Sequence, residues 1–183
     1  MTTPAEKYAA AKLRGKHPVT TDFLLTFDFE FDPFQVAACH AVEEGKGVLV
    51  AAPTGAGKTV VGEFAAYFAL QAGKKCFYTT PIKALSNQKY SEFVAKFGED
   101  RVGLLTGDTS INSEAEILVM TTEVLRNMLY AGSNTLTNLG CVVMDEVHYL
   151  ADKFRGAVWE EVLIHLMESV QVISLSATVS NAE

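Results

Sequence analysis

Short apolar runs alternate with amphipathic segments along most of this chain. The runs are rich in Val, Ile, Leu and Tyr and show no strict polar alternation, which is typical of strands buried on both faces of a sheet. They span residues 47–53, 75–81, 101–107, 116–122, 141–146 and 172–178. We therefore predict a strand at each of these positions.

The segments between the runs have helical patterns. Apolar residues recur within them at three- and four-residue spacing, and typical helix-boundary residues such as Asp32, Pro33 and Gly45 stand at their ends. The predicted helices span residues 33–44, 58–72, 86–97, 122–130 and 156–167. Alternating strands and helices predict an α/β fold with a mostly parallel sheet and helices on both faces.

One large domain with a short extension is expected. Thr3 and Pro4 are typical of a helix start. Residues 1–26 are therefore predicted to form an N-terminal helix and extension, and residues 27–183 the main domain. In a sheet of this kind, ligands bind beyond the carboxyl ends of the strands. Every predicted strand is followed there by polar or small residues, namely those at 53–59, 80–81, 107–108, 121–122, 145–146 and 176–178.

The segment APTGAGKT, residues 52–59, lies between a predicted strand and a predicted helix, which is the context of a P-loop. Its glycines allow backbone N–H groups to converge on an anion, and the helix N-terminus adds partial positive charge. Lys58 is predicted to reach the terminal phosphates and Thr59 to offer a hydroxyl to Mg²⁺. The predicted nucleotide-binding residues of the loop are Pro53, Thr54, Gly55, Ala56, Gly57, Lys58 and Thr59. The alternative is a tight turn without a ligand.

Two adjacent carboxylates, Asp145 and Glu146, end an apolar strand. Burying uncompensated charge costs several kcal/mol, so a compensating ion is expected beside them. If phosphates occupy the loop, Asp145 would hold Mg²⁺, and Glu146 would orient and deprotonate the attacking water. Capping of the following helix is the alternative role for this pair.

Composition restricts the function classes. The chain has 183 residues, of which 49% are hydrophobic and 20% charged, as in a soluble globular protein. No apolar run approaches the ~20 residues that span a bilayer, so we expect no membrane partner. The three cysteines are far apart, which indicates reduced thiols in a cytoplasmic protein. A net charge of −7 argues against nucleic-acid binding by bulk electrostatics.

The combination of APTGAGKT, DEVH at 145–148 and SAT at 176–178 resembles the first RecA-like lobe of superfamily-two helicases. FEFDPFQ at 29–35, RGAVWEE at 155–161 and SLSATVSNAE at 174–183 more narrowly resemble the superkiller-type, exosome-associated RNA helicases and their bacterial relatives. The resemblance implies a RecA-like P-loop NTPase domain that uses ATP and Mg²⁺. The implied partners are nucleic acid, with RNA favoured over DNA, and an RNA-degradation complex.

The same resemblance implies roles for further residues. Phe29 would stack on adenine, although core packing is an equal alternative, and Gln35 would hydrogen-bond the adenine edge. The implied nucleic-acid contacts, made chiefly to backbone phosphates, are Pro81, Lys83, Asn87, Gly107, Asp108, Thr121, Thr122 and Arg126. Helix capping is the alternative for both threonines. Ser176 and Thr178 would couple nucleotide state to nucleic-acid binding through His148.

The chain lacks the second-lobe motif of a glutamine followed by paired arginines. In this family the second RecA-like lobe supplies an arginine finger worth about 10³–10⁵ in rate. The 183 residues are therefore expected to hydrolyse ATP weakly alone. Two alternatives stay open: a DNA helicase lobe and a non-hydrolysing nucleotide-binding module. A transporter-type ATPase is disfavoured, because the Ser-Gly-Gly-Gln type sequence expected between the loop and the acidic pair is absent.

Overall fold

The computed structural model describes Thr3, residues 15–148 and residues 156–177. Its helices are α1 (Pro18–Leu24), α2 (Pro33–Glu43), α3 (Thr59–Gln71), α4 (Lys83–Phe97), α5 (Thr122–Ala131) and α6 (Gly156–His165). Its strands are β1 (Val48–Ala51), β2 (Lys75–Thr80), β3 (Val102–Leu105), β4 (Ser110–Ile111), β5 (Ile117–Thr121), β6 (Leu139–Met144) and β7 (Gln171–Ser176). Two 3₁₀ turns cover Glu99–Arg101 and Asn134–Leu136.

These strands form one sheet in the order β1-β7-β6-β2-β5-β3-β4. All neighbouring pairs are parallel except β3 and β4, which are antiparallel. The predicted α/β fold with a mostly parallel sheet is therefore confirmed. The short strand β4 was not predicted, because it lies inside the most polar interval of the chain, which reads as a loop.

Helices cover both faces of the sheet, as predicted. One core contains side chains from α1 to α4, among them Phe64 and Phe93, together with Tyr78 of β2 and Val143 of β6. Phe77 and Val142, the preceding residues on these strands, belong to the core beneath α5 and α6. Successive strand residues point to opposite faces, so the continuous apolar runs reflect a sheet buried on both sides.

Helix α1 lies within residues 1–26, in the part predicted as an extension after the N-terminal helix. Pro18 stands at its first turn, and Phe23 packs against Phe64 of α3 with ring centroids 5.3 Å apart. The free backbone N–H groups at the start of α1 bond to a side chain from another helix. Glu43 of α2 accepts hydrogen bonds from the N–H groups of Val19 and Thr20 at 3.0 and 2.8 Å. The helix predicted from Thr3 and Pro4 lies mostly outside the described residues.

Among the described residues, no helix has the length and apolar character that crossing a membrane requires.

Candidate active site

The strand order places the phosphate-loop candidate and the acidic pair at the same edge of the sheet. β7 lies between β1 and β6, and Ser176 at its end pairs in register with Ala51 of β1. Neighbouring strands are about 4.8 Å apart, so the ends of β1 and β6 are separated by about 10 Å. The loop after β1 and Asp145 after β6 therefore flank one crevice, with Ser176 between them.

The loop between β1 and α3 adopts the turns that its glycines permit. Gly55 and Gly57 have φ angles of +85° and +77°, in the left-handed region that disfavours other residues. The ammonium of Lys58 donates to the carbonyl oxygens of Ala52 and Pro53 at 2.6 and 2.9 Å. Thr59 is the first residue of α3. Lys58 thus folds back over the loop, and its hydrogen bonds are the ones a phosphate would replace.

Gln35 connects α2 to this loop. Its side-chain nitrogen donates to the carbonyl oxygen of Gly57 at 3.0 Å and lies 3.4 Å from that of Ala56. Its side-chain oxygen accepts from the backbone N–H of Asp32 at 2.8 Å, which completes a capping box at the start of α2. The amide therefore braces the loop in this conformation, and its predicted contact with adenine stays a prediction.

Phe29 is not a core residue. Its side chain is 54% exposed, and its ring contacts those of Phe27 and Phe31 at centroid distances of 5.3 and 4.8 Å. The equal alternative of core packing is therefore wrong, while adenine stacking stays a prediction. The surrounding aromatic residues hold an exposed ring beside α2.

Both oxygens of Asp145 accept hydrogen bonds from the protein. The Tyr78 hydroxyl donates to Oδ2 at 2.6 Å, and the backbone N–H of Glu146 donates to Oδ1 at 2.8 Å. Glu146 has a φ angle of +57°, which is strained for a non-glycine residue. Residues 149–155 lie outside the described residues, so the alternative of helix capping stays untested. The observed bonds orient Asp145 from β2 and from its own turn.

The phenol of Tyr78 is fully buried. Burial, and then the charge of Asp145, raise the pKa of Tyr78 well above its ordinary value of 10.0. The phenol therefore stays protonated and acts as the donor. Sequence reasoning missed Tyr78, because it counted the residue as an apolar member of a strand. A signal was available, since a buried Tyr hydroxyl usually has a hydrogen-bond partner.

His148 lies beside both the acidic pair and the end of β7. Its Nδ1 accepts from the backbone N–H of Ala177 at 3.2 Å and is 3.1 Å from Glu146 Oε2. One nitrogen cannot both accept the first bond and donate the second, so Ala177 N–H and Glu146 Oε2 compete for the same ring nitrogen. The hydroxyl of Ser176 instead donates to the carbonyl of Ala177. Thr178 lies outside the described residues.

The predicted nucleic-acid contacts follow the adjacent strands β2, β5 and β3. Lys83 at the start of α4 forms an ion pair with Asp108, and this hydrogen bond lowers the pKa of the Asp108 carboxyl. Thr122 Oγ1 donates to the carbonyl of Thr80 at 3.2 Å. Pro81, Asn87, Gly107 and Thr121 also lie in this part of the edge, at the starts of α4 and α5 or in the loop after β3.

Thr121 and Arg126 complete the predicted nucleic-acid contacts, and Arg126 has an ion-pair partner that the sequence did not reveal. Thr121 is the N-cap residue of α5, but its side chain makes no capping hydrogen bond. The guanidinium of Arg126 lies 3.6 Å from Glu161 Oε2 of α6. The carboxyl edge of the sheet thus has two halves. The ends of β1, β7 and β6 carry the phosphate loop and the acidic pair, and the ends of β2, β5 and β3 carry the predicted nucleic-acid contacts.

No group of three or more His, Cys, Asp and Glu side chains within the described ranges could hold a metal ion. Thr59 and Asp145 each offer one hard oxygen, which Mg²⁺ accepts together with water and substrate phosphates. The residues therefore fit an ion that binds with a nucleotide, rather than a resident protein-bound metal.

Residues 32–183 match the DEAD/DEAH box helicase family. The chain belongs to this family. Its relatives include the probable helicase HelY of Mycobacterium leprae, at 64% identity over 161 residues, which cover 88% of this chain and 18% of HelY. The antiviral helicase SKI2 of Saccharomyces cerevisiae is 51% identical over 156 residues, covering 85% of this chain and 12% of SKI2. The predicted superkiller-type resemblance is confirmed.

A plant relative extends the same comparison. The DExH-box ATP-dependent RNA helicase DExH15 of Arabidopsis thaliana is 51% identical over 176 residues, covering 92% of this chain and 15% of its own length. The chain thus spans less than a fifth of the length of these relatives. The crystal structure of the helicase MrfA bound to DNA and AMPPNP has a TM-score of 0.70 with 22% identity, over 89% of this chain and 26% of MrfA. This likeness supports the RecA-like helicase fold.

Proposed function

We propose that this domain is the ATP-binding lobe of an ATP-dependent RNA helicase, which couples ATP hydrolysis to unwinding of RNA or movement along it. The observation that carries the proposal is the crevice between the loop of residues 53–59 and Asp145. In this proposal the loop binds a nucleotide's phosphates, and the acidic pair after β6 acts on the terminal phosphate.

Each part of the crevice has a distinct task in this proposal. Loop N–H groups and the start of α3 bind the phosphates, while Lys58 leaves the carbonyls of Ala52 and Pro53 to contact the terminal phosphates. Bound Mg²⁺ would neutralise charge on the phosphates, held by Thr59 and Asp145. Glu146 orients the attacking water and accepts its proton.

Adenine recognition is assigned to two residues outside the loop. The exposed ring of Phe29 offers a stacking surface. Gln35 would exchange its bonds to the loop for bonds to the adenine edge, since an amide both donates and accepts. Nucleotide binding would thus loosen the contact between α2 and the loop.

Coupling of nucleotide state to nucleic-acid binding is assigned to His148, Ser176 and Thr178. The bond from Ala177 N–H to His148 supports this role, because it links the end of β7 directly to the acidic box. A change at Glu146 during hydrolysis would alter which partner His148 Nδ1 engages, and this would displace the end of β7.

RNA is favoured over DNA as the nucleic acid, because relatives such as DExH15 are named RNA helicases. The contacts are assigned to Pro81, Lys83, Asn87, Gly107, Asp108, Thr121, Thr122 and Arg126. Helix starts and hydroxyl groups suit phosphate oxygens without much net positive charge, which reconciles the proposal with a net charge of −7. A cytoplasmic RNA-degradation complex is the proposed setting.

A DNA helicase lobe is the second candidate. The specific observation in its favour is the shared fold with MrfA, which was crystallised with DNA. Equal affinity for single-stranded RNA and DNA of the same sequence would favour this candidate.

The first test measures ATP binding to the 183-residue chain by calorimetry. Lys58→Ala should reduce affinity for Mg²⁺–ATP at least about tenfold, since it removes a charge-assisted phosphate contact. Lys74→Ala, a charge loss at the opposite end of α3, is the matched control and should leave affinity unchanged. Equal affinities for all three proteins would contradict the proposal.

The second test concerns hydrolysis. The isolated chain is expected to turn ATP over slowly, because we assign the arginine finger to a second RecA-like lobe of the natural protein, an interaction worth about 10³–10⁵ in rate. Glu146→Gln in a protein with both lobes should abolish hydrolysis and retain ATP binding. RNA-stimulated turnover by the isolated chain at the rate of the two-lobe protein would refute the assignment, and a two-lobe protein without turnover would indicate a non-hydrolysing module.

A further inference from the structure

Tyr78 occupies a site that is built around its ring. It lies in the middle of the sheet on β2, paired in register with Val119 of β5 and Val143 of β6. Its ring packs edge-on against Phe93 of α4, with centroids 5.0 Å apart. The residue is fully buried, yet its hydroxyl reaches the carboxyl edge of the sheet and ends on Asp145.

Gly62 of α3 makes room for this ring. A Cβ at Gly62 would lie 2.8 Å from Tyr78 Cε2 and 3.3 Å from side-chain atoms of Val143 and Leu175. Glycine inside a helix is less favourable than alanine, because it loses more backbone freedom on folding. The helix that begins at the phosphate loop therefore contains an unfavourable residue at the point where the Tyr78 ring touches it.

The hydroxyl completes the support of Asp145. The backbone N–H of Asp145 donates to the carbonyl of Thr79 at 2.9 Å, so its main chain is fixed to the strand that carries Tyr78. The side chain is then held at Oδ2 by the phenol and at Oδ1 by the N–H of Glu146. A phenylalanine would fill the same volume, so packing alone does not account for the hydroxyl.

We propose that Tyr78, seated by Gly62, is a positioning residue that fixes the Asp145 carboxylate in the orientation needed to engage the nucleotide's divalent cation. This inference rests on the proposed function. Partners that orient a metal-binding side chain typically contribute about 10–100-fold to metal affinity. Tyr78 would act through Asp145 and would not itself touch the nucleotide.

The test compares ATP affinity with and without Mg²⁺ for the wild-type chain and Tyr78→Phe. We expect Tyr78→Phe to weaken Mg²⁺–ATP binding about tenfold. Its affinity for ATP in excess EDTA should match that of the wild type, and the Mg²⁺ concentration giving half-maximal ATP binding should rise by a similar factor. Tyr67→Phe removes a hydroxyl from the outer part of α3 and is the matched control, with wild-type values in both conditions.

Gly62→Ala supplies a second arm that keeps the hydroxyl and displaces the ring. It should raise the Mg²⁺ requirement in the same direction as Tyr78→Phe. A Mg²⁺ requirement identical to the wild type in Tyr78→Phe, even with lowered stability in urea, would overturn the inference, as would a loss of affinity that is equal in Mg²⁺ and in EDTA. Absence of ATP binding by the wild type would refute the proposed function instead.

Discussion

The side-chain amide of Gln35 lies directly over the left-handed turn of Gly57, with its nitrogen 3.0 Å from the Gly57 carbonyl oxygen. A Cβ at Gly57 would overlap that nitrogen. Gln35 of α2 thus contacts the phosphate loop at Gly57. Glycine is required there for two reasons: its φ angle is positive, and the Gln35 side chain lies too close to leave room for a Cβ. The relationship makes the loop conformation and the Gln35 rotamer interdependent.

Gly57→Ala should therefore abolish detectable ATP binding and destabilise the chain. The left-handed φ of +77° costs alanine about 1–2 kcal/mol, and displacement of Gln35 adds to that cost. Gly73→Ala is the control, because Gly73 has a φ of +65° at the other end of α3 with no described atom within 4 Å of the Cβ position. Urea unfolding should show a loss for both variants, and calorimetry should show lost ATP binding for Gly57→Ala alone.

Adjacent glutamates at the end of α2 should differ sharply in their effect on stability. Both oxygens of Glu43 accept hydrogen bonds from α1, including one from Thr20 Oγ1 at 2.6 Å. Glu43→Gln replaces one acceptor by a donor and should lower the free energy of unfolding by about 1–3 kcal/mol. Glu44 forms ion pairs with the exposed Lys16 and Lys46 and lies 3.3 Å from Nε2 of the buried His17. Glu44→Gln keeps an acceptor oxygen for His17 and loses only exposed ion pairs, so it should cost less stability than Glu43→Gln. Equal losses in urea unfolding would contradict this assignment of the cap.

The sequence predicted the fold well because burial on both faces leaves a strong one-dimensional signal. Every predicted strand exists within a few residues of its expected bounds, and the loop and acidic pair follow β1 and β6 as expected. These features depend on local patterns: continuous apolar runs, glycine spacing and helix periodicity. They can be found without knowing which strands are neighbours.

Features that depend on distant partners were not predictable in this way. The sequence pattern predicts a helix over residues 86–97, but α4 begins at Lys83. Ser86 is buried, and its hydroxyl lies 2.7 Å from that of Thr80. Tyr78 likewise finds its acceptor, Asp145, 67 positions later. Only the pairing of β2 with β6 brings Tyr78 and Asp145 together.

Asp108→Asn should strengthen binding of single-stranded RNA, because asparagine keeps an acceptor oxygen at this assigned contact but no longer holds Lys83 in an ion pair. Asp108 pairs with Lys83, so its carboxylate competes with phosphate for that ammonium. Release of Lys83 should raise the affinity for RNA severalfold at low salt. The slope of log affinity against log salt concentration should also become more negative, by up to about one, because one more phosphate is neutralised. Fluorescence anisotropy at several salt concentrations measures both quantities.

The control for that experiment is Asp100→Asn. Asp100 lies in the 3₁₀ turn before β3, at the opposite edge of the sheet, so the variant changes net charge equally without freeing Lys83. It should have near wild-type affinity. Weaker RNA binding by Asp108→Asn would instead indicate that the contact of Asp108 with RNA requires the charged carboxylate, for example to accept from a 2′-hydroxyl.

Alkaline pH should destabilise the chain through its buried thiols. Burial, and then the charge of Glu43, raise the pKa of Cys39 to about 12, from an ordinary value of 9.0. Above the ordinary value, the unfolded chain releases the thiol proton while the folded chain keeps it. The contribution of Cys39 is therefore fully present below pH 9.0 and is lost as pH rises from there towards 12. The loss should be about 1.4 kcal/mol per pH unit inside that window.

Cys39→Ala isolates this contribution, because it removes the titrating group from both states. The variant should be less stable than the wild type at neutral pH, since it leaves a small cavity in a fully buried position. The difference between the two proteins should then shrink as the pH of the urea unfolding experiment is raised above 9.0. A constant difference in unfolding free energy across that range would mean that Cys39 ionises equally in the folded and unfolded chains. Burial of this α2 side chain would then not retain its proton.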